Sequence, residues 1–165
     1  MFKNIFERKR KMVMVDLFSP VHGEVISLSE VPDPVFAGKM MGDGLAFIPK
    51  DGKIVSPANG KIHQIFPTKH AIVILTENKL EILIHVGLDT VELNGNGYEV
   101  FVSEGQEIKV GDHLMNVDLE LLEKNNKEIV TPMTITNSEE KVDQIELREN
   151  GEIRRGDYVL KCYAR

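Results

Sequence analysis

Two histidines carry the chemistry that this sequence suggests. His70 lies in Phe66-Pro67-Thr68-Lys69-His70-Ala71-Ile72-Val73-Ile74-Leu75, and His85 in Lys79-Leu80-Glu81-Ile82-Leu83-Ile84-His85-Val86-Gly87-Leu88-Asp89-Thr90-Val91. Glu77-Asn78 joins the two apolar runs. A two-residue hairpin turn there, with Asn tolerating a positive φ, sets Thr76 against Lys79 and His70 directly across from His85. Opposed side chains share a face about 5 Å apart. Strand alternation then puts Thr68, Ile72 and Leu83 on the histidine face and turns Ile82 and Ile84 toward the core. A three-residue turn would slip the register by one and send the histidines to opposite faces.

A neutral imidazole is a good nucleophile near neutral pH, because its ordinary pKa is about 6.5. Of two adjacent imidazoles, one can accept a phosphoryl group while the other donates a hydrogen bond to the incoming oxygens. A hydroxyl such as that of Thr68 can fix the helper's tautomer. An apolar rim lets a protein partner dock and keeps water from a hydrolysable phosphoimidazole. His22, His63 and His113 sit in turns or polar strands with no evident partner and read as structural.

The elements that must hold this pair are strands. From Asp16 onward, β-branched runs recur between Gly, Pro, Asn and Asp clusters: 24–27, 45–48, 61–66, 71–76, 80–86, 98–102, 134–135, 142–147 and 158–162. That spacing predicts an all-β antiparallel sandwich or barrel. Helices are expected to be very short. Asp33 before Pro34 reads as an N-cap and first helical position of a turn ending near Gly38, and Asp118 through Lys124 as a second short helix. Two echoes suggest a duplicated architecture. Ser19-Pro20-x-x-Gly23-x-Val25 returns as Ser56-Pro57-x-x-Gly60-x-Ile62. The unit Gly105-x-x-Ile108-x-x-Gly111-Asp112-x-Leu114 returns more loosely around Gly151, Ile153, Gly156, Asp157 and Val159.

At 165 residues the chain is one domain and large enough to fold without disulfides or a structural metal. Its net charge of −6 makes it a poor general binder of phosphate backbones, so nucleic acid is not an expected partner. The chain has 1 cysteine, Cys162, so neither a disulfide framework nor a cysteine-rich zinc site is expected. No apolar run is long enough to span a bilayer, and no signal peptide is visible, which points to the cytoplasm. Residues 1–15 read as a basic N-terminal tail. Met1, Phe2, Ile5 and Phe6 fall at helical spacing beside Lys3, Arg8, Lys9, Arg10 and Lys11, so any membrane contact is expected to be weak and through this tail.

Four stretches carry a family resemblance: Pro32-Asp33-Pro34-Val35-Phe36-Ala37, Met41-Gly42-Asp43-Gly44, Pro67-Thr68-Lys69-His70-Ala71 and Ile84-His85-Val86-Gly87-Leu88-Asp89-Thr90-Val91. They resemble the glucose-type enzyme IIA family of the bacterial phosphoenolpyruvate-dependent sugar phosphotransferase system. The likeness runs from about Phe18 to the C-terminus and is most specific around His85. It implies a β-sandwich of the duplicated hybrid motif type over residues 16–165. It also implies that His85 is the phosphoryl acceptor, that His70 is the phosphate-stabilising helper and that Thr68 orients His70. Phosphate would come from the carrier HPr and leave to a cysteine of an enzyme IIB domain of a sugar permease. By position, the family's apolar docking patch falls on Phe36, Phe66, Ile72, Leu83 and Val91, with Asp33 and Asp89 at its rim. No cofactor is required. A zinc held by His70 and His85, with a third ligand from a partner, is the arrangement of some regulatory complexes in the family. Regulated transporters or kinases are a further class of partner that the sequence leaves open.

Three rivals differ in their sequence requirements. Zinc endopeptidases on the same fold need an HxH pair, which is absent here, although His85-x-x-x-Asp89 has ligand spacing. Biotinyl and lipoyl carriers share the Gly-x-x-Ile-x-x-Gly-Asp unit, but Gly38-Lys39-Met40-Met41 lacks the pattern around their modified lysine. A non-transferring regulatory paralogue would have no use for both histidines.

Overall fold

The computed structural model describes residues 12–165. Its strands are β1 (Val13–Phe18), β2 (Gly23–Ser27), β3 (Asp43–Pro49), β4 (Lys53–Val55), β5 (Gly60–Ile65), β6 (Ala71–Leu75), β7 (Glu81–His85), β8 (Tyr98–Val100), β9 (Glu107–Ile108), β10 (His113–Val117), β11 (Thr131–Ile135), β12 (Val142–Leu147), β13 (Gly151–Ile153) and β14 (Tyr158–Ala164). The helices are short: α1 (Pro34–Ala37), α2 (Leu119–Lys124) and α3 (Ser138–Lys141). An antiparallel eight-stranded sheet in the order β13-β2-β3-β11-β7-β6-β5-β9 is accompanied by two three-stranded sheets, β1-β14-β12 and β4-β10-β8. The all-β reading with short helices therefore holds. Asp33 caps α1 as its position suggested, and Asp118, expected inside the second short helix, is instead its N-cap, each carboxylate accepting from a backbone N–H in the first turn. The N-terminal boundary shifts: Val13–Val15 belong to β1 rather than to the tail, and residues 1–11 lie outside the described residues.

The repeated motifs clasp one another. The Ser19 and Ser56 hydroxyls donate to the carbonyls of Val21 and Ala58, at 2.8 and 2.7 Å. The Phe18 N–H donates to the Pro57 carbonyl, and the Val55 N–H to the Pro20 carbonyl, so the two Ser-Pro turns bond reciprocally. Each turn also grips its own Gly-Asp echo: the Ser56 N–H reaches the Asp112 carbonyl and the Ser19 N–H reaches that of Asp157. The duplication seen in the sequence is thus a duplicated hydrogen-bond pattern.

Apolar residues cover both faces of the large sheet, which is why its central strands lack an apolar–polar alternation. Leu45, Phe47, Ile72, Ile74, Ile82, Ile84, Met133 and Ile135 face the main core. Ala46, Ala71, Val73 and Leu83 face a second, smaller cluster, roofed by Leu28, Val31, Phe36, Leu88 and Val130. The two histidines sit at the edge of that second cluster.

Candidate functional site

The β6–β7 hairpin differs from the expected one, and the difference explains how the site is built. Its loop has three residues, not two. The Lys79 N–H donates to the Thr76 carbonyl, the Thr76 N–H to the Leu80 carbonyl, and the positive φ falls on Lys79 at 67° rather than on Asn78. This is a tight turn closed by one left-handed residue. The register is consequently one step away from the expected one: Ala71, not His70, pairs with His85, and Ile72 pairs with Ile84.

Ile72 therefore points into the main core, at 0% exposure, and is not part of a docking surface. A regular strand with this register would also separate the histidines. They meet because His70 precedes β6 and follows Lys69, whose φ is 62°. That left-handed residue turns the chain, so strict alternation does not govern the His70 side chain. The His70 carbonyl still accepts from the Val86 N–H at 2.7 Å, which keeps its backbone beside the end of β7.

The two rings are 4.7 Å apart between centroids and inclined at 75°, edge to face. Phe36 of α1 lies 5.1 Å from the His85 ring, and Phe66 lies 5.5 Å from the His70 ring at 86°. The Thr68 Oγ1 stands 2.6 Å from His70 Nδ1. His85 Nδ1 is 2.7 Å from the Gly87 carbonyl oxygen. A carbonyl can only accept, so His85 carries its proton on Nδ1 and keeps its Nε2 lone pair available. Gly87 has φ +83°, and a Cβ there would come within 2.6 Å of Thr90 Cγ2, so both conformation and space require glycine.

Burial sets the protonation of both rings. His70, only 4% exposed, is pushed down to about 4, mainly by desolvation and next by the charge of His85, with Thr68 acting in the opposite direction. His85 is also lowered by burial, while its hydrogen bond to Gly87 and the carboxylates of Asp33 and Asp89 raise it. Both imidazoles are therefore neutral near pH 7.

The remaining site residues divide by depth. Phe36 and Leu83 are buried in the second cluster, Phe66 is half-buried against it, and Val91 is 52% exposed on the turn after His85. Asp33 and Asp89 are near enough to act on His85. The sequence reading overlooked Gly87, whose contribution is a backbone carbonyl, and Val35, an exposed apolar residue beside Phe36 on α1. The positive φ of Gly87 makes its presence two residues after His85 a usable signal. Among the described residues no three His, Cys, Asp or Glu side chains converge, so a zinc ion at the histidine pair would need ligands from elsewhere. No helix among the described residues is long and apolar enough to cross a membrane.

A family described as the phosphoenolpyruvate-dependent sugar phosphotransferase system, EIIA 1, matches residues 15–141. A glucose-specific EIIA component of that system from Staphylococcus epidermidis is 46% identical over 141 residues, 85% of each chain. Its counterpart from Bacillus cereus is 51% identical over 139 residues, 84% of each chain. Glucose permease IIA from Mycoplasma capricolum superposes with a TM-score of 0.82 at 41% identity, covering 90% of this chain and 96% of that one. The match spans both histidines, and the fold follows that of a solved relative, so the chain belongs to the EIIA 1 family of the phosphoenolpyruvate-dependent sugar phosphotransferase system.

Proposed function

We propose that this protein is a cytoplasmic phosphocarrier of sugar uptake that takes a phosphoryl group from phospho-HPr onto His85 Nε2 and passes it to a cysteine of an enzyme IIB domain. The observation that carries the reading is the arrangement of the imidazoles: both are neutral, nearly in contact, and each is held through Nδ1. The His85 Nε2 lone pair attacks phosphorus as the donor's P–N bond breaks. The proton stays on His85 Nδ1, donated to the Gly87 carbonyl, so no base is required. With the Thr68 hydroxyl donating to His70 Nδ1, His70 presents Nε2–H to the phosphoryl oxygens. Thiolate attack on phosphorus in the second step breaks the His85 P–N bond and restores the neutral ring.

Half-buried Phe66 and exposed Val91 supply the apolar surround against which a partner excludes water, with Phe36 and Leu83 buried in the cluster behind them, and Asp33 and Asp89 favour basic partners. No cofactor enters either step. Zinc hydrolysis and a non-transferring regulatory role fit the relatives less well. Incubation with enzyme I, HPr and phosphoenolpyruvate, followed by intact mass and site mapping, should show one added phosphoryl group on His85 and none in His85→Ala. Absence of that gain while HPr itself is phosphorylated would overturn the reading.

A further inference from the structure

Val86 connects the two histidines through the backbone. It follows His85 in the chain, and its N–H donates to the His70 carbonyl at 2.7 Å. Its own carbonyl accepts twice, from the Tyr98 hydroxyl at 2.6 Å and from the Thr90 hydroxyl at 3.1 Å. Both donors are buried, Tyr98 at 6% and Thr90 at 0% exposure.

Two peptide planes meet at Gly87. The first contains the Val86 carbonyl. The second contains the Gly87 carbonyl, which accepts from His85 Nδ1–H, and the Leu88 N–H, which donates to the Glu128 carbonyl at 3.0 Å. Between the planes stands a residue without a Cβ, at φ +83°, so its local sterics barely resist rotation of either plane. Their relative orientation must therefore come from the groups that grip each of them. The Glu128 carbonyl grips the second plane; Tyr98 and Thr90 grip the first.

We propose that Tyr98, through its hydroxyl and backed by Thr90, is a positioning residue for phosphoryl transfer: by fixing the Val86–Gly87 peptide plane, next to His85 in the chain, it keeps His85 Nδ1 aligned with the Gly87 carbonyl that Glu128 holds and so keeps Nε2 unprotonated. This rests on His85 being the acceptor. The ring of Tyr98 packs in the main core, and phenylalanine would fill nearly the same space, so the hydroxyl is what distinguishes positioning from packing. Without it, the Val86 carbonyl retains Thr90, and the clamp weakens rather than vanishes.

The test compares the natural protein with Tyr98→Phe, Thr90→Val and the double variant. Nitrogen-15 spectra at a pH where His85 is neutral separate its protonated Nδ1 from its bare Nε2. In Tyr98→Phe the two resonances should move toward each other as the second tautomer is populated. Phosphoryl acquisition from phospho-HPr should slow about fivefold, the worth of one neutral hydrogen bond, and further in the double variant. A folded Tyr98→Phe with both nitrogen resonances at their natural positions overturns the proposal, whatever its melting temperature. Should Tyr98→Phe not fold, Thr90→Val is read by the same criterion. If the natural protein takes no phosphate on His85, the carrier function fails, and the tautomer spectra still decide whether Tyr98 positions the ring.

Discussion

Acidification from about pH 7.5 to about pH 5 should weaken the fold, and replacing His70 with glutamine should remove much of that loss. His70 is 4% exposed and held down to about 4 by burial and by the neighbouring His85. In the unfolded chain the same ring titrates near its ordinary 6.5. The folded pKa is the lower one, so the unfolded state binds the proton first. Stability is complete above the unfolded value, declines as pH falls through it, and levels off below about 4. At pH 5 the proton linkage amounts to roughly 2 kcal/mol. That is a large share of the 5–15 kcal/mol typical of a domain. His85 shifts in the same direction and adds to the effect. Other groups titrate too, so the informative quantity is the difference between the two proteins' losses. Urea denaturation at both pH values and fixed ionic strength gives it, followed by far-ultraviolet circular dichroism because the chain has 0 tryptophans. Equal losses in natural protein and His70→Gln would refute the idea that His70 is buried in its neutral form.

Three further outcomes follow from the site. His70→Ala should still accept a phosphoryl group on His85 but deliver it poorly to an enzyme IIB domain; transfer to IIB at the natural rate would remove the helper role. Ile72→Ala should cost about 2–5 kcal/mol in denaturation, as a core truncation does, with little change in transfer while folded, whereas Val91→Asp should weaken HPr docking with a stability change near 0.5 kcal/mol or less. Raising salt should slow phosphoryl acquisition from a basic partner, and Asp33→Asn, which keeps an N-cap for α1, should flatten that salt dependence. A salt profile unchanged by the substitution would take Asp33 out of the encounter.

The sequence disclosed the fold class, the Asp33 helix cap and the duplicated turns because each has a local cause: β-branched runs between turn residues, an acidic residue before a proline at a helix start, a Ser-Pro turn with a Gly-Asp echo. It disclosed the histidine pair by a register that proved one residue off. Both choices of loop length satisfied the hairpin's composition, and the deciding feature, a left-handed Lys79, has no strong residue signature. The prediction that a shifted register would separate the rings failed for a second local reason, the turn at Lys69 that takes His70 out of the strand. Ile72 was misplaced by the same slip. The Gly87 carbonyl and the Tyr98 clamp were out of reach, since one is a backbone group and the other spans a loop that only tertiary structure closes.

The pairing of β1 with β14 bears on how the chain is made. Val13 lies against Ala164 and Leu17 against Leu160, so nearly the whole sequence separates the partners. The Ser19 clasp on Asp157 and the pairing of Gly23 with Ile153 are almost as distant. Synthesis on the ribosome proceeds from the N-terminus at about 5–20 residues per second. β1 therefore emerges first and waits longest, with the apolar Val13, Met14 and Leu17 still unpaired, while the strands of the histidine hairpin can form as soon as they leave the exit tunnel. The sheet that joins β1 to β14 can close only after β14 has emerged. For a time the nascent chain holds a formed hairpin at its centre and an uncovered strand at its start, the state in which it is most open to chaperones and to aggregation.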